Sequence, residues 1–247
     1  MNSLELFKTQ KFYQIDISIL KDLGYDVLLS NRIFDSLLFW KYDILFSYFY
    51  RYSFFAALLA KCFGKKTYFT GGIDSLDSDY ASAFNYKIQA LFFKLCYWVA
   101  DSCIIVSQSD LKNIFKVSSL KKKLSYSEHV INTKLFIADV PKEKIFTSIV
   151  WMGDEGNVVR KGVDKALQIF AELKKIPEFV DYRFVIIGRK GEGEVLVRSI
   201  IDKYNLKGSV ELKGEVSEED KINLLKQSKY YFQLSLYEGF GLSLIHI

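Results

Sequence analysis

Two stretches of the chain hold residue types that could do chemistry together. Arg160-Lys161-Gly162 sets two cations beside a glycine, and Tyr237-Glu238-Gly239-Phe240-Gly241 reads as the opening of a ligand-binding turn. Gly153, Gly188 and Gly214 add three more glycines, each closing an apolar, β-prone run. Glycine lets backbone N–H groups approach a ligand with no Cβ in the way. Two cations among several amide donors suit a diphosphate, whose charge calls for multidentate partners. Taken singly, each glycine is also a plain turn and each cation a solvated side chain. The recurrence of the set is what argues for a site.

The elements that must position these residues follow from the hydrophobic pattern. In the second half, "FTSIVWMG" (146–153), "YRFVIIG", "SVELKGEV" and "KYYFQLSLYEGFG" read as strands. "GVDKALQIFAELKKI" reads as a helix with Val163, Ala166, Leu167, Ile169, Phe170 and Leu173 on one face. "EVLVRSIIDKYNL" and "SEEDKINLLKQS" are further helices, the last opened by Ser217 with Asp220 three residues on. The first half repeats the alternation. Helices are expected at "YQIDISILKDLG", "RYSFFAALLAKCFG", "ASAFNYKIQALFFKLCYWVA" and "LKNIFKV", and strands at "YDVLLS", "YDILFSYF", "KTYFTGG" and "SCIIVSQSD".

Alternating strands and helices imply an α/β chain with parallel sheets and right-handed crossovers. The expectation is two Rossmann-like lobes with a cleft between them, over residues 1–140 and 146–247, joined near Pro141. The first lobe opens almost at once on a helix, so its usual first strand is missing. Ligands of open parallel sheets bind beyond the carboxyl ends of the strands. Gly153, Gly188, Gly214 and the Gly239/Gly241 pair fall there, and Arg160 and Lys161 stand just before a helix whose amino end favours an anion.

Composition narrows the classes. Three cysteines without CxxC spacing, Cys62, Cys96 and Cys103, read as buried free thiols of a reducing compartment. His129 and His246 are the two histidines, too few and too far apart to suggest a metal site, so no metal cofactor is expected. The most apolar stretches are broken by Arg51, Lys61, Lys94 and Asp101, which argues against a membrane span. Residues 1–140 carry 17 Lys and Arg against 13 Asp and Glu, whereas 141–247 carry 17 against 16. The aromatics also crowd the first half. Such a lobe could rest peripherally on an anionic membrane from the cytoplasmic side, or be ordinary core under solvated lysines. The excess is too small for nucleic acid. "VIIGRKGEGE" lacks GxGxxG spacing, and there is neither a nucleophile elbow nor a pair of histidine ligands.

From "IVWMG" through "RKGVDKALQIFAELKK", "YRFVIIGRKGEGE" and "LSLYEGFG", residues 146–243 resemble the second lobe of GT-B glycosyltransferases of family 4. "YSEHVINTKLF", with Val130-Ile131-Asn132-Thr133, looks like that family's Asn-Gly-Val-Asp segment before the linker. The resemblance implies a retaining, hexosyltransferase-like enzyme moving a sugar from a nucleoside-diphosphate donor to a polysaccharide, lipid-linked glycan or similar acceptor. It gives Glu238 contact with the sugar hydroxyls, and it gives the backbone of Gly239, Phe240, Gly241 and Leu242 the sugar and phosphate. Lys161, with Arg160, would hold the diphosphate and stabilise its charge on leaving. Gly153, Gly188 and the turn Lys213, Gly214, Val216 would line the nucleotide pocket.

Three departures from the family pattern stand out. His246 falls where a second Glu should hold the donor ribose. Asp154 falls where an arginine is usual, leaving Arg160 to substitute. "YFTGGID" lacks the first-lobe histidine. With the family pattern breaking after Leu242, these lead to the expectation of a fragment or truncated reading frame, leaving open whether residues 243–247 are native and whether the chain catalyses by itself. The alternative is a non-catalytic sugar- or nucleotide-binding protein, or a partner of a complete transferase.

Overall fold

The computed structural model describes residues 4, 7–8, 11–71, 76, 81–118, 121–128, 130 and 140–236. The chain divides into two compact units, Met1–Ile131 and Asn132–Ile247. Each has its own core.

In the first unit, α1 (Lys11–Asp22) precedes two 3-10 turns, Ile33–Leu37 and Phe39–Lys41. Then follow β1 (Ile44–Tyr48), α2 (Tyr50–Cys62), β2 (Lys66–Thr70), α3 (Ala83–Val99), β3 (Ser102–Ile105), α4 (Gln108–Val117) and β4 (Leu124–Tyr126). The sheet order is β1-β2-β3-β4, every pair parallel. Tyr50, Phe54, Phe69, Phe93, Ile105 and Ile114 fill the core between the sheet and its helices. Gly24 and Gly64 take positive φ at helix ends, as the sequence leads one to expect.

"YDVLLS" is not a strand. Residues 25–30 run without regular structure and mostly exposed, with Leu28 72% accessible. A strand exists only where a neighbour takes its backbone N–H and C=O groups, and among the described residues β1 pairs with β2 alone. β4 escaped the pattern because its three residues follow three lysines.

The second unit runs β5 (Glu143–Ile149), α5 (Glu155–Arg160), α6 (Val163–Leu173), β6 (Arg183–Ile187), α7 (Glu194–Lys203), β7 (Val210–Gly214), α8 (Glu218–Gln227) and β8 (Ser228–Tyr231). Its sheet is parallel in the order β7-β6-β5-β8. One face packs under α5, α6 and α7 around Phe146, Leu167, Phe170, Phe184 and Ile186. The other buries Ile145, Val185 and Ile187 with Leu224 of α8. On α6, Val163, Ala166, Leu167 and Phe170 are buried at helical spacing, but Ile169 is 42% exposed. The apolar stripe is narrower than its sequence predicts, because Ala171 rather than Ile169 completes it. Ser217 caps α8, its hydroxyl accepting from the Asp220 amide at 3.0 Å and donating to the Asp220 carboxylate at 2.6 Å.

Candidate functional site

The strand order of the second sheet fixes where a ligand can enter. From β5 the chain steps outward through β6 to β7, then returns to place β8 on the other side of β5. The loops leaving β5 and β8 therefore diverge, and the carboxyl end between them is a topological switch point. Residues 150–162 and 232–236 occupy that end.

Arg160 is not in a loop, as the sequence suggested, but in the last turn of α5. Asp154 caps this helix, accepting from the Asn157 amide at 2.7 Å, and the Asn157 side-chain oxygen in turn accepts from Arg160 Nη2 at 3.2 Å. The position where an arginine is usual thus holds a carboxylate that starts the helix carrying Arg160. Lys161 follows as its C-cap, and both cations are half-buried. Gly162 sits at φ +67°, where a Cβ would come 2.1 Å from the Leu234 carbonyl oxygen. Here glycine is required on both counts.

The same contact brings the end of β8 to these cations. The Phe232 amide donates to the Thr147 carbonyl at 2.9 Å, continuing the ladder past the strand. The Ser148 hydroxyl donates to the Phe232 carbonyl at 2.8 Å. Four residues on, the Leu236 amide donates to the Arg160 carbonyl at 2.8 Å, satisfying an acceptor that a helix end leaves open. Glu238, Gly239, Phe240, Gly241 and Leu242 lie outside the described residues, as do Ile131, Asn132, Thr133, His129 and His246. The chain is followed to two residues before Glu238, and there it is bound to the backbone of Arg160.

The remaining predicted residues share the edge but not one spot. The Gly188 amide donates to the Gly214 carbonyl at 2.8 Å, joining the ends of β6 and β7. At φ +131°, a Cβ on Gly188 would lie 2.1 Å from the Val150 carbonyl oxygen. This glycine is explained by strand-end loops crossing closely. Gly153 accepts from the Glu192 amide at 3.1 Å. Lys213 is exposed and 3.9 Å from Glu211, while Val216 packs its side chain against the Ile145–Leu224 core.

Sequence reasoning missed three features. Trp151, at the end of β5, is half exposed with its ring against Gly153. Asp164, in the first turn of α6, has a buried Oδ1 with no hydrogen-bond partner among the described residues. Moreover, each helix starting from this edge carries its own acid in the first turn: Glu155, Asp164, Glu194 and Glu218. These carboxylates partly cancel the helix dipoles expected to attract an anion. Neutralising a bound anion therefore falls to the cationic side chains. Among the described residues no cluster of His, Cys, Asp and Glu could hold a metal ion.

Residues 156–246 match the family model described as glycosyl transferases group 1. The match begins inside α5, after β5, and covers Arg160, Lys161 and the strands β6, β7 and β8. Solved structures similar to the chain include GT-B glycosyltransferases. Staphylococcus aureus TarM is 18% identical with a TM-score of 0.63, over 79% of this chain and 37% of TarM. Anabaena HepE, solved with UDP and glucose, is 14% identical with a TM-score of 0.68, over 93% of this chain and 67% of HepE. Sucrose-phosphate synthase from Thermosynechococcus elongatus is 18% identical with a TM-score of 0.65, over 83% of this chain and 53% of the synthase. The two-sheet α/β architecture is thus the GT-B fold. The chain spans between about a third and two thirds of the length of these proteins. None of the curated proteins compared matches it.

Proposed function

We propose that this chain is the whole or a part of a retaining family 4 glycosyltransferase that moves a hexose from a nucleoside diphosphate to a glycan or lipid-linked acceptor. One observation carries the reading. The Leu236 amide is bonded to the Arg160 carbonyl, so the approach to Glu238 and the Arg160-Lys161 pair share the switch point of the second sheet. Solved relatives hold UDP with glucose, or UDP with GlcNAc, which makes a UDP-hexose the first donor to assay.

In this mechanism Arg160 and Lys161 face the diphosphate and gain interaction as its leaving oxygen takes up charge, which lowers the barrier rather than merely tightening binding. Glu238 accepts hydrogen bonds from the sugar hydroxyls and holds the ring while its anomeric carbon becomes oxocarbenium-like. The backbone of Gly239 to Leu242 cradles sugar and phosphate. Gly153, Gly188, Lys213, Gly214 and Val216 build the nucleotide side of the edge. Since cationic side chains supply the neutralising charge, the reading needs no metal. The reaction is placed in the cytoplasm, with the acceptor delivered at the inner face of the membrane.

A donor hydrolysis and transfer assay decides the matter, run on residues 1–247 and on a version extended beyond Ile247. Release of UDP that falls with Glu238→Gln while UDP binding persists supports the transferase. UDP-sugar binding without turnover in either chain supports the non-catalytic alternative, and neither binding nor turnover overturns both.

A further inference from the structure

In the first unit, α2 shows two characters. Tyr50, Phe54, Ala57 and Ala60 are buried. On the other side Tyr52, Phe55 and Phe63 are exposed, at spacings that line up along the helix. The stripe continues off the helix, because Phe63 stacks on Phe39 at 4.3 Å and Phe39 meets Trp40 edge-on at 5.2 Å. Tyr52 is 76% and Trp40 66% accessible. Exposed rings gathered along one side of α2 and at its end mark a surface that something covers.

The charges beside the rings say what. Residues 30–66 carry six Lys and Arg against two Asp, as large an excess as the whole of residues 1–140. Asp43 pairs with Lys65 at 3.1 Å, and Asp35 accepts from the Ser30 hydroxyl. Lys61 pairs with Asp101. Arg32, Lys41, Arg51 and Lys66 are exposed and form no ion pair among the described residues. Arg51 stands beside Tyr52, its guanidinium 5.9 Å from the ring centre, and Lys41 adjoins Trp40.

We propose that this face docks on the surface of a bilayer rich in acidic phospholipids. Tyr and Trp rings seat at the headgroup boundary, and cations on the same face meet the lipid phosphates. A second copy of the chain fits less well, since a two-fold contact would bring the same uncompensated cations against each other. No helix among the described residues is long and apolar enough to cross a membrane, so the contact is peripheral. The proposal deepens the location given above, not the transfer chemistry. Vesicle binding and sugar release are separate readouts, so either can fail without the other.

The test is sedimentation of the full chain with vesicles of phosphatidylcholine alone or mixed with phosphatidylglycerol. The expected result is pelleting with the mixed vesicles, release in high salt, and little pelleting with phosphatidylcholine. K41A/R51A should weaken binding by about fivefold for each cation removed. W40A/F55A should weaken it while leaving the salt dependence in place. Both variants should keep the parent circular dichroism spectrum, and K41A/R51A suffices should W40A/F55A not fold. Absence of binding, or equal and salt-insensitive binding to both vesicles, overturns the proposal. So does a concentration-dependent oligomer that W40A/F55A returns to monomer, which would assign the face to self-association.

Discussion

At the residue scale, the consequential pair is Lys161 and Gly162. Replacing Lys161 by Met keeps the stem and removes the charge, and transfer should fall about 100-fold or more while the melting temperature holds. Steady-state kinetics would show it mainly in kcat, since the leaving group gathers its charge in the transition state. Gly162→Ala should act through folding instead. It forces a Cβ into the left-handed region and against the Leu234 carbonyl, and about 2 kcal/mol or more of stability should go, read from urea unfolding. The sequence made the glycines and the cations legible as a set, because their types recur at strand ends. It could not say what each glycine was for. Gly188 gives room to the Val150 carbonyl, a partner 38 positions away that only the sheet brings near.

At the element scale, helix ends carry the argument. Lys123 Nζ donates to the carbonyls of Tyr97, Trp98 and Ala100 at 3.2, 3.0 and 2.6 Å, closing the end of α3 with a cation. Lys123→Met should lower stability by about 1–2 kcal/mol, measured by thermal unfolding. Asp101, one residue beyond, gives a pH signature. Burial alone would raise its pKa, but the Lys61 ammonium and the Thr67 amide outweigh it and hold the carboxyl below its ordinary value. A depressed pKa stabilises the fold above the unfolded value and loses that contribution as pH falls through the folded one. Acid titration below about pH 4 should therefore destabilise the parent more than Asp101→Asn. Elements with a full apolar period, such as α6, were readable from sequence. α5 was not, since its six residues have no such period and depend on the Asp154 cap and on Leu236 to close them. "YDVLLS" misled for the opposite reason: its composition is strand-like, but among the described residues no strand pairs with it.

At the scale of the whole molecule, the two units keep separate books of burial. Each core cluster draws its residues from one unit alone. Phe170 is fully buried in the second, touching Phe146 and Phe184 edge-on or tilted at 5.5 Å. Phe170→Ala should cost that unit about 3–5 kcal/mol. Hydrogen exchange should then show faster opening in β5 to β8 with the amides of β1 to β4 unchanged. Uniform acceleration would show that the units fold as one.

The bonds that hold residues 232 and 236 are four positions apart, one to Ser148 and one to Arg160. Together they act as a ruler for the stretch between. Point replacements of Gln233 or Ser235 leave that length unaltered, whereas deleting or inserting a single amino acid there would shift Leu236 out of register with the Arg160 carbonyl. Variation in this stretch should accordingly be fixed in number, with position 234 kept apolar for its place against the core.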